Sequence, residues 1–331
     1  MTARAKGGIE FDAPKPPRWQ SGSSPQHLLV TLLGDYWMHA ARPLSSAALV
    51  ALLEEFGVTT AGARAALSRL GRRGVLEPSR DGRRTYYSLN PAVAQRLTAG
   101  GARILSFGTE QQWRGEWTVV AYSLPEEQRD VRHLVRSRLR WLGFAPIYDA
   151  VWISPHTSVE TVVENLGELG VTTATVFAAP HDSSYFGEHS PIEAWDLGSV
   201  REVYQDFLSR GEEMLTMLRA GRATPADSLL VRTNLMDTYR RIPTMDPGLP
   251  EALMPDGWPR AAARAMFLEL YDGLAPLAVL HVQRIVERFD GPVAELVKPT
   301  LSKDLLEAAW ADGALDRVGS AEDELNEFDS V

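Results

Sequence analysis

The stretch Leu67–Tyr87, "LSRLGRRGVLEPSRDGRRTYY", most constrains the fold, because it closes a helical pattern with a glycine and then turns on an Asp-Gly dipeptide. Asp81-Gly82 is a strong short-range signal for a tight hairpin, since glycine accepts the positive φ such turns need. The spacing therefore predicts short strands at 75–80 and 83–89. Three helices precede them. Ser24 is the expected N-cap of the first, with Pro25 at its first position and Leu28, Leu29, Leu32 and Leu33 on one stripe. A second starts near Ser45 and runs to Gly57, and a third starts at Thr59 or Thr60 and ends before Gly74. Helix, helix, helix, hairpin is the order of a winged helix-turn-helix.

The same stretch holds six arginines in a chain whose net charge is −9. Residues 1–140 carry a balance of +8 and residues 141–331 a balance of −17. A basic front half suggests an anionic partner, the alternative being that the two halves partly pair with each other. On the third helix, Ala63, Ala66, Leu67 and Leu70 share the face expected to pack inward. The opposite face offers Ala61, Ala65, Ser68 and Arg72, flanked by Arg64 and Arg69, and Thr60 and Arg73 join them as expected contact residues. Alanines at the centre of an exposed face allow close approach, and guanidinium forks suit phosphates and guanine edges. Arg80, Arg83, Arg84 and Thr85, at or beside the hairpin tip, add phosphate contacts that carry affinity without base information. Double-stranded DNA is the expected partner of these residues. Simple solvation is the competing reading for Arg72 and Arg73.

After a linking helix at 91–106, "EWTVVAYSL" (116–124) reads as a buried strand, 126–142 as a helix, and "APIYDAVWISP" (145–155) as two short strands. A helix at 158–169 and a strand at 171–179 complete a β-α-β-β-α-β order, a ferredoxin-like plan. From about 196 the pattern is mostly helical, interrupted by "IPTMDPGLPEALMPDGWP" (242–259). The fold expected is thus α+β and multidomain. It divides into a flexible arm (1–23), a winged helix (24–90), a linking helix (91–112), a ferredoxin-like domain (113–180), a helical domain (181–318) and an acidic tail (319–331).

"LLGDYW" (32–37), residues 56–89, residues 113–155 and "DPGLPEALMPDGWP" (246–259) together resemble the PaaX family of bacterial repressors of aromatic catabolism. The resemblance covers roughly residues 24–290. It implies a homodimeric repressor that binds operator DNA and is released by an aryl-CoA thioester, phenylacetyl-CoA being the usual inducer. The middle segment also resembles the small ferredoxin-like nucleases of CRISPR spacer acquisition, which carry a metal-binding aspartate at the end of the first strand. Here that strand ends Tyr122-Ser123-Leu124, with no acid until Glu126. A metal-dependent nuclease or hydrolase is therefore the alternative function, lacking its carboxylate pair.

For a thioester, cations must meet phosphates and an apolar pocket must take the acyl group. Arg129, Arg132 and Arg136 form a stripe on the helix 126–142, with Arg140, and join Arg240 and Arg241 as phosphate candidates. Trp152, Tyr239, Trp258 and Tyr271 are the candidate walls. The stripe can equally pair with acids of the rear domain, and the aromatics can equally be core. The seven histidines include no helical ligand pair, and only His181 and His189 lie close together, in a polar loop. There is no Gly-rich phosphate loop and no nucleophile elbow. No catalytic residue, metal or cofactor is expected. Zero cysteine excludes disulfides, and no apolar run reaches the roughly 18 residues of a membrane span. The start has no apolar signal core, so a cytoplasmic location is expected.

Overall fold

A computed structural model describes residues 24–38, 42–109, 113–181 and 190–311. The expected N-terminal arm, the acidic tail and His189 lie outside these residues. Helix α1 (Pro25–Tyr36) is capped by Ser24, whose hydroxyl accepts from the His27 N–H at 3.3 Å. Helix α2 (Ser46–Glu54) is capped in the same way by Ser45, and α3 (Thr60–Arg72) by Thr59. Gly74, at φ +71, ends α3 and lets the Val75 N–H return to the Leu70 carbonyl at 3.0 Å.

Strands β2 (Leu76–Asp81) and β3 (Arg84–Leu89) pair antiparallel, with Asp81 opposite Arg84. The loop is thus Gly82-Arg83, one residue later than the dipeptide signal suggested. Gly82 has φ +57 and no other residue type takes a positive φ among the described residues. A positive φ at the first loop position only is the type II′ pattern, which puts glycine first, whereas Asp-Gly as the loop would have been type I′. A two-residue strand that periodicity could not show, β1 (Leu44–Ser45), adds to β3 and makes a three-stranded sheet.

Helix α4 (Pro91–Ser106) leads to the second sheet. Its strands are β4 (Glu116–Tyr122), β5 (Ala145–Tyr148), β6 (Val151–Ser154) and β7 (Ala174–Pro180), in the spatial order β5-β6-β4-β7 with every pairing antiparallel. Helices α5 (Arg129–Trp141) and α6 (Val159–Glu168) supply Val135, Leu139, Val162 and Leu166 to one core with Val120, Tyr122 and Trp152 of the sheet. Leu134, also on α5, is 53% exposed.

The rear is helical: α7 (Leu197–Arg219), α8 (Pro225–Tyr239), a turn α9 (Ile242–Met245), α10 (Arg260–Glu287), a turn α11 (Gly291–Ala294) and α12 (Ser302–Ala311). By length and composition α10 could cross a membrane, yet Phe267, Leu270, Tyr271, Ala275 and Val282 are buried in the protein interior. Its C-terminal half does something the sequence did not foretell. Ala278, Val282, Ile285 and Val286 belong to one core with Leu29 and Leu33 of α1, Leu49 and Leu53 of α2, and Ala63 and Leu67 of α3. The front helices are therefore not closed on themselves.

A buried polar cluster ties α1 to the same helices. Arg232 of α8 is wholly buried; its Nε donates to the Tyr271 carbonyl at 2.9 Å and an Nη donates to the Thr300 carbonyl. Another Nη lies 3.4 Å from Asp35 Oδ2, and the Tyr271 hydroxyl donates to Asp35 Oδ1 at 2.6 Å. Thr300 reciprocates, its N–H donating to the Asp35 carbonyl at 2.7 Å and its hydroxyl to the Gly34 carbonyl at 2.8 Å. The guanidinium stacks over the Tyr271 ring at 3.9 Å. Burial pushes the Asp35 carboxyl above its ordinary range, against the pull of Arg232 and Tyr271. Burial likewise leads in raising the Tyr36 phenol to about 12. Removing one partner strands the other without water. Arg232→Met should lower the free energy of unfolding by about 3–5 kcal/mol in denaturant titrations. Tyr271→Phe should cost less, about 1–3 kcal/mol, because only one acceptor loses its donor.

Candidate nucleic-acid interface

Helix α3 buries Ala63, Ala66, Leu67 and Leu70, the face its spacing predicts. Thr60, Ala61, Arg64, Ala65, Ser68, Arg69, Arg72 and Arg73 all point to solvent. Across the tight turn Arg80, Arg83 and Arg84 are exposed as well, and Thr85 is half-buried in β3. Among the described residues, none of these seven arginines forms an ion pair. The exception in the set is polar: the Thr60 hydroxyl is already spent on the Glu54 carboxylate. Basic residues at the C-terminal end of α3 also sit favourably against the helix dipole, so their placement costs the fold little.

Most of the residues expected to bind an effector do not come together. Trp152 is enclosed beneath α5 in the second sheet's core, with the Arg140 guanidinium over its ring at 5.4 Å. Arg129 is exposed. Arg132 donates to the Leu124 carbonyl at 2.7 Å and pairs with Glu126 at 3.2 Å, while Arg136 pairs with Asp149 at 3.8 Å. The partners of the stripe are thus local, not acids of the rear helices. Tyr239 is stacked on Phe267 at 4.1 Å, and Trp258 lies edge-on to Tyr204 beneath Arg201. Arg241 is exposed, apart from these. The wide sequence spacing hid this: aromatic side chains on facing helices fill a core before they line a pocket.

Two members of that set do meet. Arg240 and Tyr271 line a cavity of about 120 Å³ between α1, α4, α8, α10 and α12. Its other walls include Gly34 and Asp35 of α1, and Leu97, Gly100 and Arg103 of α4, none of which the sequence reading singled out. A signal existed for one of them. Asp35 lies three residues after Leu32 and so falls on the apolar stripe of α1, where an acid needs a partner. Among the described residues, no cluster of three His, Asp or Glu could hold a metal ion.

Family models match three consecutive parts of the chain: "PaaX-like protein" over residues 24–93, "PaaX protein central Cas2-like domain" over 110–190, and "PaaX-like protein C-terminal domain" over 195–284. The Transcriptional repressor PaaX of Escherichia coli (strain K12) is 31% identical over 287 residues, spanning 84% of this chain and 87% of its own. The uncharacterized protein Rv0674 from Mycobacterium tuberculosis is similar in structure at a TM-score of 0.49 and 21% identity, over 77% of this chain and 97% of its own. The chain belongs to the PaaX family.

The arginines of α3 and those of the hairpin tip lie on separate elements, so their expected roles, base reading and phosphate holding, can be tested apart. Arg64→Ala or Arg69→Ala should weaken binding to a specific duplex by about 1–3 kcal/mol and relax base preference. Arg83→Ala or Arg84→Ala should weaken every duplex and flatten the plot of log affinity against log salt by about one unit each. Fluorescence anisotropy across a salt series reads both; an unchanged slope in both wing variants contradicts the second assignment.

Proposed function

We propose that this protein is a homodimeric transcriptional repressor of aromatic, phenylacetate-type catabolic genes, released from its operator by an acyl-CoA effector such as phenylacetyl-CoA. It works in the cytoplasm and breaks no bond. Residues 24–90 act as a winged helix-turn-helix, with α3 in the major groove and the β2–β3 hairpin as the wing. Residues 113–180 form a ferredoxin-like domain, and the helices behind them make up the third part. Membership of the PaaX family and likeness to a relative named as a transcriptional repressor support this reading.

One observation carries it: an outward helix face of two alanines ringed by arginines, beside a hairpin tip with three more, none of them tied up in an ion pair among the described residues. The alanines let the helix sit deep in a groove, and the arginines reach base edges and flanking phosphates. In a dimer, two such helices meet half-sites about one helical turn, or a multiple of it, apart. An effector that binds better to a dimer with another spacing draws the protein off the DNA, by no more than its differential affinity.

A gel shift on the DNA upstream of the protein's own gene tests this. A retarded band that a panel of acyl-CoA thioesters dissolves selectively is the expected result. No retardation at low salt would defeat the repressor reading.

A further inference from the structure

The basic clusters of the chain differ in what neutralises them. On α5, Arg132 pairs with Glu126, Arg136 with Asp149 and Arg138 with Glu168. The rear helices behave alike: Arg210 pairs with Asp206 and Arg219 with Glu269. The seven arginines of α3 and the hairpin have no such partner among the described residues, although a net charge of −9 leaves acids in excess. Like charges gathered on one exposed face repel each other, and their summed field draws in an anion whatever its origin.

The sequence beyond Ala311 holds that kind of anion. Residues 312–331 carry seven acids against one base, Arg317, and five of the acids fall within the eight positions 322–329. Blocks of one charge sign commonly act as interaction segments. Helix α12, which leads into this stretch, packs against α4, and α4 begins two residues after the wing strand β3 ends. Twenty extended residues span up to roughly 65 Å, against a radius of gyration of roughly 20 Å for a compact chain of this length. The arginine face is within reach.

We propose that the acidic segment 312–331 docks on the arginine face of its own chain when no duplex is bound, standing in for the phosphates. Its carboxylates accept from the same guanidinium forks that a DNA backbone would use. Each exposed pair is weak and screened by salt. Tethering compensates, since a segment of the same chain is present at an effective concentration on the order of millimolar. Every duplex, operator or not, must then displace it. The device sets a threshold: DNA that offers only phosphates meets a competitor already in place. Its regulatory meaning rests on the repressor reading above.

Two measurements on the full-length protein test this. The chain has no cysteine, so Ser330→Cys gives a single attachment point for a nitroxide label. At low salt the label is expected to broaden the backbone amide signals of residues 60–73 and 80–85, and about 0.5 M salt to restore them. No broadening there overturns the proposal, and so does broadening that passes only from a labelled chain to an unlabelled second copy. The combined variant Glu322→Gln, Asp323→Asn, Glu324→Gln, Glu327→Gln, Asp329→Asn is expected to bind random and upstream duplexes alike about fivefold more tightly at low salt, with an unchanged melting temperature. Unchanged affinity for both duplexes overturns the proposal. An equal gain on neutralising the exposed Glu202, Glu213, Glu251, Glu287 and Glu295 instead would reduce the effect to net charge and overturn it too. Broadened amides in a protein that binds no duplex in either form defeat the repressor reading and leave the contact standing.

Discussion

The Arg232 guanidinium holds the molecule together. It is fully buried, donates to two carbonyls and pairs electrostatically with one carboxylate, the three coming from separate stretches of chain. Charges withdrawn from water in this way are costly, and a nonpolar replacement of equal volume is often as stable. What such a cluster supplies instead is position. Asp35 can meet Arg232 and Tyr271 only when α1 lies in one register against α8 and α10, and Thr300 closes the arrangement by bonding to the backbone of Gly34 and Asp35. A purely oily contact between these helices would tolerate sliding.

That fixed register matters because α1 has two neighbours of different kinds. One flank faces α3 and the hydrophobic interior of the front unit; the other faces the cavity lined by α4 and α8. A rigid element with distinct surroundings on its two sides can carry a small displacement from one to the other. Close-packed interiors favour such transmission, since they rearrange between discrete packings more readily than they deform.

Much of the architecture was legible in the sequence where local chemistry decides. Ser24, Ser45 and Thr59 each cap the helix they announce, and the buried face of α3 follows from its spacing alone. The hairpin was legible too, though displaced by one residue, because Asp-Gly marks a turn without telling whether glycine enters first or second. What stayed hidden is long-range. Asp35 and Tyr271 are bonded across 236 positions, and a charged residue such as Arg232 reads as surface until its partners are known. The scatter of the expected effector residues was hidden for the same reason: Tyr239 and Trp152 fill two different cores. The outward arginines of α3 and the hairpin could be read because exposure there follows from what the opposite face must bury.

The shared interior of α1–α3 and the end of α10 bears on how such proteins diversify. Grafting residues 24–90 onto an unrelated regulator would carry across half of a greasy interface and leave Ala278, Val282 and Ile285 without a counterpart. Residues 24–90 and the end of α10 must therefore change in concert, whereas the outward arginines and alanines of α3 can be exchanged without disturbing that interior.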